Sequence, residues 1–242
     1  MVLTARRTSL PATLVLAVLA VAACSDQDDT EASDPTLLAT TSIWADVATN
    51  VACGEQVAAI IPAGADPHSF EPSLRDRGIL DGAEFVLANG GGLEGTLVDL
   101  LEVAAADGTA VVEMTSHVKP LLGDDPHVWQ DPARVAAALP AVADALVAAG
   151  RDESRIRGCA EDYGAELTAL DAEIAALFAD LPSERRLLVT NHYSFGYFAD
   201  RYGFDVIGTV IPSSSTLGEA SAGQLAELAE LVREQEVPAI FS

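Results

Sequence analysis

Positive charge and histidine are both scarce in this chain. Against 37 Asp and Glu stand only 13 Lys and Arg, a formal net charge of −24 over 242 residues. So few cations leave little for a phosphate backbone to pair with, which excludes nucleic acid as a partner. An acidic surface is compatible with gathering cations, although many extracellular proteins share it. Histidines number four. No HExxH pattern and no repeat of fixed period occurs. Beyond the N-terminus, no run is apolar enough to cross a bilayer.

What is present begins with MVLTARRTSLPATLVLAVLAVAACSDQDD. Arg6 and Arg7 precede the apolar run Leu14–Ala23, which is too short to span a membrane comfortably and reads as a secretory signal peptide, residues 1–23. Val21-Ala22-Ala23-Cys24 resembles a bacterial lipobox, which implies cleavage before Cys24 and lipid on its sulfur and new amino group; an ordinary signal peptide with a chance cysteine is the alternative. Residues 24–36 are acidic and lack large apolar groups, so they are expected to form a flexible tether. The other two cysteines, Cys53 and Cys159, would sit in an oxidising compartment, where such a pair often forms a disulfide. A buried free thiol at Cys159 is the alternative, because that residue lies on an apolar helical stripe.

From Leu37 onward short apolar runs alternate with helical patterns, which predicts an α/β fold with mostly parallel sheets. Strands are expected at 37–41, 57–62, 84–88 and 110–114, and helices at 43–52, 74–80, 93–106 and 131–149. Ile156, Cys159, Tyr163, Leu167, Leu170, Ile174, Leu177 and Leu181 then recur in steps of three and four, one helical face over 152–181. At 1.5 Å per residue that helix would be about 45 Å long. Such a length suggests a spine joining two lobes, residues 37–150 and 183–242, with 151–182 between them; a long packing helix within one domain is the plainer reading. Strands at 186–190 and 204–210 and helices at 194–202 and 222–234 follow. Pro238–Ser242 starts like another buried strand, so the second lobe is expected to be incomplete and the chain to end in mid-domain, at a true terminus or as a truncated or partial sequence.

Two of the four histidines share one tripeptide, in GADPHSFEP (64–72) and GDDPHVWQDP (123–132). Proline fixes its own φ and pushes the preceding residue out of the helical region, so Asp-Pro delivers His68 and His127 from stiff loops. Stiffness lowers the entropy lost on gripping an ion, and a neighbouring carboxylate can orient an imidazole through its second nitrogen. His68 and His192 each follow a predicted strand, at the carboxyl edge where open α/β sheets bind ligands. His127 comes after a short loop beyond the strand at 110–114, so the three imidazoles are expected to converge in a cleft. His117, in MTSHVKP, has no such pedestal and is expected at the surface.

TTSIWADVATNV, GADPHSFEPS, GGLEG, DPHVWQDP and LVTNHYSFGYFADRYG, in this order, resemble the zinc- and manganese-binding solute receptors of ABC transporters, the cluster A-I type. The resemblance covers Leu37 to Ser242 and implies two α/β lobes joined by one long helix, with metal between them. It maps the metal ligands onto His68, His127 and His192, and places a fourth, a carboxylate, beyond Ser242. It also implies a monomer held by lipid at the outer face of the membrane, delivering Zn²⁺ to a permease driven by a cytoplasmic ATPase. Three imidazoles and one oxygen suit tetrahedral Zn²⁺; Mn²⁺, which prefers more oxygen, is the alternative cargo. The same three histidines would also serve a zinc hydrolase with Glu71 as base, and an adhesin is a third class that no residue here tests.

Overall fold

The computed structural model describes residues 35–241. The signal segment, Cys24 and nearly all of the acidic tether lie outside the described residues. Among the described residues, no helix is long and apolar enough to cross a membrane.

The first sheet is built by βα alternation. β1 (Leu37–Ala39) leads into α1 (Ser42–Val51), whose N-cap Thr41 accepts the Trp44 N–H. β2 (Ala58–Ala59), α2 (Leu74–Asp81), β3 (Phe85–Ala88), α3 (Val98–Ala106) and β4 (Ala110–Glu113) follow. All pairs are parallel, in the order β2-β1-β3-β4. The two central strands read LLA and FVLA and are buried throughout, because helices cover both faces of the sheet. Side chains alternate across it: Leu37, Ala39, Phe85 and Leu87 pack with Trp44 and Val142, whereas Leu38, Val86 and Ala88 pack with Leu97 and Leu101.

The chain leaves β1 toward one edge and crosses back to β3 on the other side. The carboxyl ends of β1 and β3 therefore form the topological switch point, where open α/β sheets leave a crevice. Beyond β4 come the short α4 (Met114–His117), α5 (Pro132–Ala148) and α6 (Glu153–Leu177). The second lobe contains β5 (Leu187–Thr190), α7 (Gly196–Tyr202), β6 (Asp205–Thr209) and α8 (Ala222–Glu234), with β5 and β6 parallel. Both sheets belong to one compact unit, Asp34–Ser242.

Several expected boundaries shift, each for a local reason. The strand expected at 57–62 is regular only over Ala58–Ala59, although the Ile60 and Ile61 N–H groups still bond Ala39 O and Thr40 O at 2.9 Å. The helix expected from Leu93 starts as a turn and a 3-10 segment at Gly95–Leu97, because Glu94 is turned inward onto backbone amides. The long helix stops at Leu177, not Leu181, and spans 25 residues, about 37 Å. Arg186 ends it by donating to Phe178 O at 2.6 Å and Leu181 O at 2.9 Å, while the Phe178 ring joins Phe198 and Phe204. Its apolar face is also less continuous than the periodicity predicts. Ile156 and Leu167 are buried, but Leu170 and Leu177 are exposed, and the buried residue in that half is Asp171. Asp171 accepts from Arg201 Nε at 2.7 Å and Tyr202 OH at 3.1 Å, which ties the spine to α7. Near the end, only Phe241 bridges to Thr190 where a strand was expected.

Cys53, just after α1, and Cys159, in α6, form a disulfide with Cα atoms 5.5 Å apart. It fastens the first lobe to the start of the spine.

Candidate metal centre

His68 and His127 are almost fully buried, and His192 is half-buried. Their rings meet edge-on, with centroids 5.0–5.4 Å apart. His127 Nε2 lies 3.3 Å from His68 Nε2 and 3.1 Å from His192 Nε2, and all three ligand nitrogens fall within 4.8 Å of one another. Two zinc–nitrogen bonds of about 2.0–2.1 Å at a tetrahedral angle place their nitrogens about 3.3–3.4 Å apart. The observed separations are of that size. Among the described residues, these three form the group of side chains able to hold a metal ion. His117 ends α4 at the surface, and Glu71, the candidate base of a hydrolytic site, is exposed and outside the group.

The two Asp-Pro pedestals share one device. Asp66 Oδ1 accepts the His68 N–H at 3.0 Å, and Asp125 Oδ1 accepts the His127 N–H at 3.0 Å. Each carboxylate thus closes a turn across the intervening proline. Only the second also reaches its imidazole: Asp125 Oδ1 lies 2.7 Å from His127 Nδ1. This contact places the proton on Nδ1 and leaves the Nε2 lone pair facing the other two rings. The Trp129 ring stands edge-on to His127, with centroids 5.2 Å apart.

His192 is held differently. It follows β5 directly, and its carbonyl accepts from Thr190 Oγ1 at 2.7 Å and from the Ser194 N–H at 2.8 Å. Its ring Nδ1 is buried and has no hydrogen-bonding partner among the described residues.

A set of residues that the sequence pattern did not single out as functional fixes the second pedestal. Asn89, at the end of β3, donates to Pro126 O at 2.8 Å, and its Oδ1 accepts from Trp44 Nε1 at 3.0 Å. Glu94, also buried, accepts the Asn89 N–H at 2.7 Å, the Gly90 N–H at 3.2 Å and the Thr40 hydroxyl. These groups leave the ends of β1 and β3, so the switch point itself grips the Asp-Pro-His loop. Gly90 has φ +75°, and a Cβ there would lie 2.6 Å from Thr115 Oγ1, so this close approach needs glycine. Gly196 plays the same part across the cleft: a Cβ on it would run into Asp125 Oδ2. The sequence signs of this frame were its polar and glycine residues placed directly after apolar strands, and the segments TTSIW and GGLEG, which carry Thr40, Trp44 and Glu94.

Burial lowers the His68 pKa to about 4, with repulsion from His127 adding to it and Asp66 opposing. His192 is lowered for the same two reasons, burial first. Near neutral pH both rings are uncharged, which is the form that binds a cation. Burial pushes Glu94 up, partly offset by its hydroxyl and amide donors. Asp66 is lowered: burial opposes, but the Thr216 hydroxyl and the His68 N–H prevail.

A family model described as zinc-uptake complex component A, periplasmic, matches residues 37–242. The manganese-binding lipoprotein MntA of Halalkalibacterium halodurans is 32% identical over 237 residues, covering 94% of this chain and 78% of that protein. The zinc-binding protein TroA of Treponema pallidum is 32% identical over 217 residues, covering 86% and 69% respectively. A solved structure of the periplasmic zinc binding protein TroA from Treponema pallidum superposes with a TM-score of 0.77 at 31% identity, covering 86% of this chain and 77% of that one.

Proposed function

The chain belongs to the zinc-uptake complex component A family, the metal-binding receptors of ABC transporters, and on that premise we propose that it carries Zn²⁺ on His68, His127 and His192. It is a solute-binding protein rather than an enzyme. Its relatives divide between zinc and manganese by name, so the choice of ion rests on the site. The observation that carries zinc is the donor set among the described residues: three imidazole nitrogens converge. Nitrogen donors, with two of their separations at tetrahedral spacing, favour zinc over manganese, which takes more oxygen and a larger shell.

The residues divide the work. Asp125 sets the tautomer and direction of His127, Asp66 shapes the loop under His68, and the rings of His68 and His192 close on the ion without shedding protons near pH 7. Lipid on Cys24 would hold the receptor at the outer face of the membrane, as a monomer, beside the permease and its ATPase. The cargo is tested by isolating the protein from its own host and measuring bound metal and coordination number together. Zinc in a four-coordinate, nitrogen-rich shell is the expected result. Manganese as the major ion, or a six-coordinate oxygen-rich shell, overturns the zinc assignment.

A further inference from the structure

Metal must leave as well as bind, and one polar contact between the lobes touches a ligand loop directly. Thr216 Oγ1 donates to Asp66 Oδ2 at 2.6 Å, while the other oxygen of that carboxylate holds the His68 N–H at 3.0 Å. Thr216 lies on the loop that follows β6. That loop is fastened at its near end to the residues flanking His192: the Ile211 N–H donates to Asn191 O at 2.7 Å, and the Tyr193 N–H donates to Ser213 O at 2.8 Å. It also folds tightly on itself, with the Leu217 N–H on Ser215 Oγ at 3.2 Å and the Gly218 N–H on Ser215 O at 3.3 Å. A Cβ at Gly218 would lie 2.7 Å from Ser213 Cβ. A stiff arm therefore runs from the backbone beside His192 to the carboxylate under His68.

We infer that Thr216 is a positioning residue that latches the lobes: its hydroxyl on Asp66 keeps the His68 loop against the His192 loop and slows release of the ion. The inference rests on the metal-receptor reading of the three histidines. The two Asp-Pro aspartates are distinguished by this contact. Asp66 is half of an inter-lobe bond, whereas Asp125 Oδ2 is buried with no partner among the described residues. Thr216 touches no ligand ring, so its loss should change the rate of opening more than the geometry of the bound ion.

The test compares the full chain with Thr216→Val and Thr216→Ser. Each is loaded with Zn²⁺ and mixed with excess chelator, and hydrogen exchange of residues 64–70 is followed in the metal-free proteins. Thr216→Val is expected to release zinc about tenfold faster, the size of one hydrogen bond to a charged acceptor. It should also raise exchange in the 64–70 loop, and the serine variant should restore both to near the parent values. Unchanged release together with unchanged exchange in the valine variant overturns the latch, and so does a serine variant that behaves like valine. A parent chain that takes up no zinc overturns the receptor reading instead; the exchange comparison then still decides whether Thr216 couples the loops.

Discussion

The first lobe presents its candidate ligands in a different way from the second. His68 and His127 stand on Asp-Pro turns whose carboxylates bind the histidine backbone, and His127 is fixed through its ring as well. Behind them, Asn89 and Glu94 lock the His127 loop to the ends of β1 and β3. His192 has its carbonyl anchored but its ring Nδ1 unpaired among the described residues. As candidate ligands, the first lobe offers two nitrogens on stiff loops, one of them fixed through its ring, and the second offers one whose aim is set by lobe position. An ion held by a stiff pair and a looser third can be captured tightly and still have one bond that opens first.

The largest effect is expected at His127, whose Nε2 lies 3.3 Å and 3.1 Å from the other two. His127→Ala should lower zinc affinity about 100- to 1,000-fold, one ligand's share of the binding free energy of a four-ligand zinc site. His192→Ala should cost less, since an unheld ring gives up entropy when it binds. Competitive titration against a zinc chelator ranks the two, and an equal or greater loss at His192 would break the comparison.

Next in size is the carboxylate beneath the ring. Asp125→Ala should weaken zinc binding about 10- to 100-fold, as expected for the partner of a ligating histidine. Asp66→Ala should cost less equilibrium affinity, because its carboxylate holds the His68 backbone and the Thr216 hydroxyl and no imidazole. Titration of both variants under the same conditions decides this, and a reversed order would show that the pedestal turn outweighs ring orientation.

Acidity sharpens the contrast in the metal-free chain. His68 titrates at about 4 when folded against 6.5 as a free side chain, so the unfolded chain binds its proton first. The sign follows: stability rises with pH between about 4 and 6.5 and is lost as pH falls through that window. Thermal unfolding between pH 7 and 4.5 should therefore show a smaller decline in His68→Gln than in the parent. Identical profiles would mean that burial is not what depresses this ring.

The smallest effect on metal is expected from the disulfide. Cys53→Ser with Cys159→Ser should cost about 2–5 kcal/mol of stability, for a bond closing 106 residues of chain. Zinc affinity should stay within about twofold, because the bond lies past the C-terminal end of α1, whose N-terminal end faces the carboxyl edge of the sheet that carries the histidine loops. A large loss of affinity in the doubly substituted protein would show that the spine's attachment tunes the cleft.

Much of this was legible in the residues, for reasons that are local. Continuous apolar runs between helical patterns give parallel strands, and LLA and FVLA are buried as that pattern requires. Asp-Pro is a short-range constraint, so the turns under His68 and His127 could be read from three letters each. Asp171 was not legible: it interrupts an apolar helical stripe, and only the arrival of Arg201 and Tyr202 makes its burial tolerable. The end of α6 was misplaced for a similar reason, since Arg186 takes the carbonyls of Phe178 and Leu181 from beyond the helix.

By itself, then, the sequence determined the element types and the stiffness of the loops under His68 and His127, because each depends on neighbours a few residues away. Only the tertiary structure decided that the Nε2 atoms converge at 3.1 and 3.3 Å, that Asn89 and Glu94 hold the loop, and that Thr216 reaches Asp66. Those contacts join residues from 37 to 150 positions apart, apart from the local grip of Glu94 on Asn89. A separation of that length is set by how the sheets and the spine pack, and no local pattern encodes it.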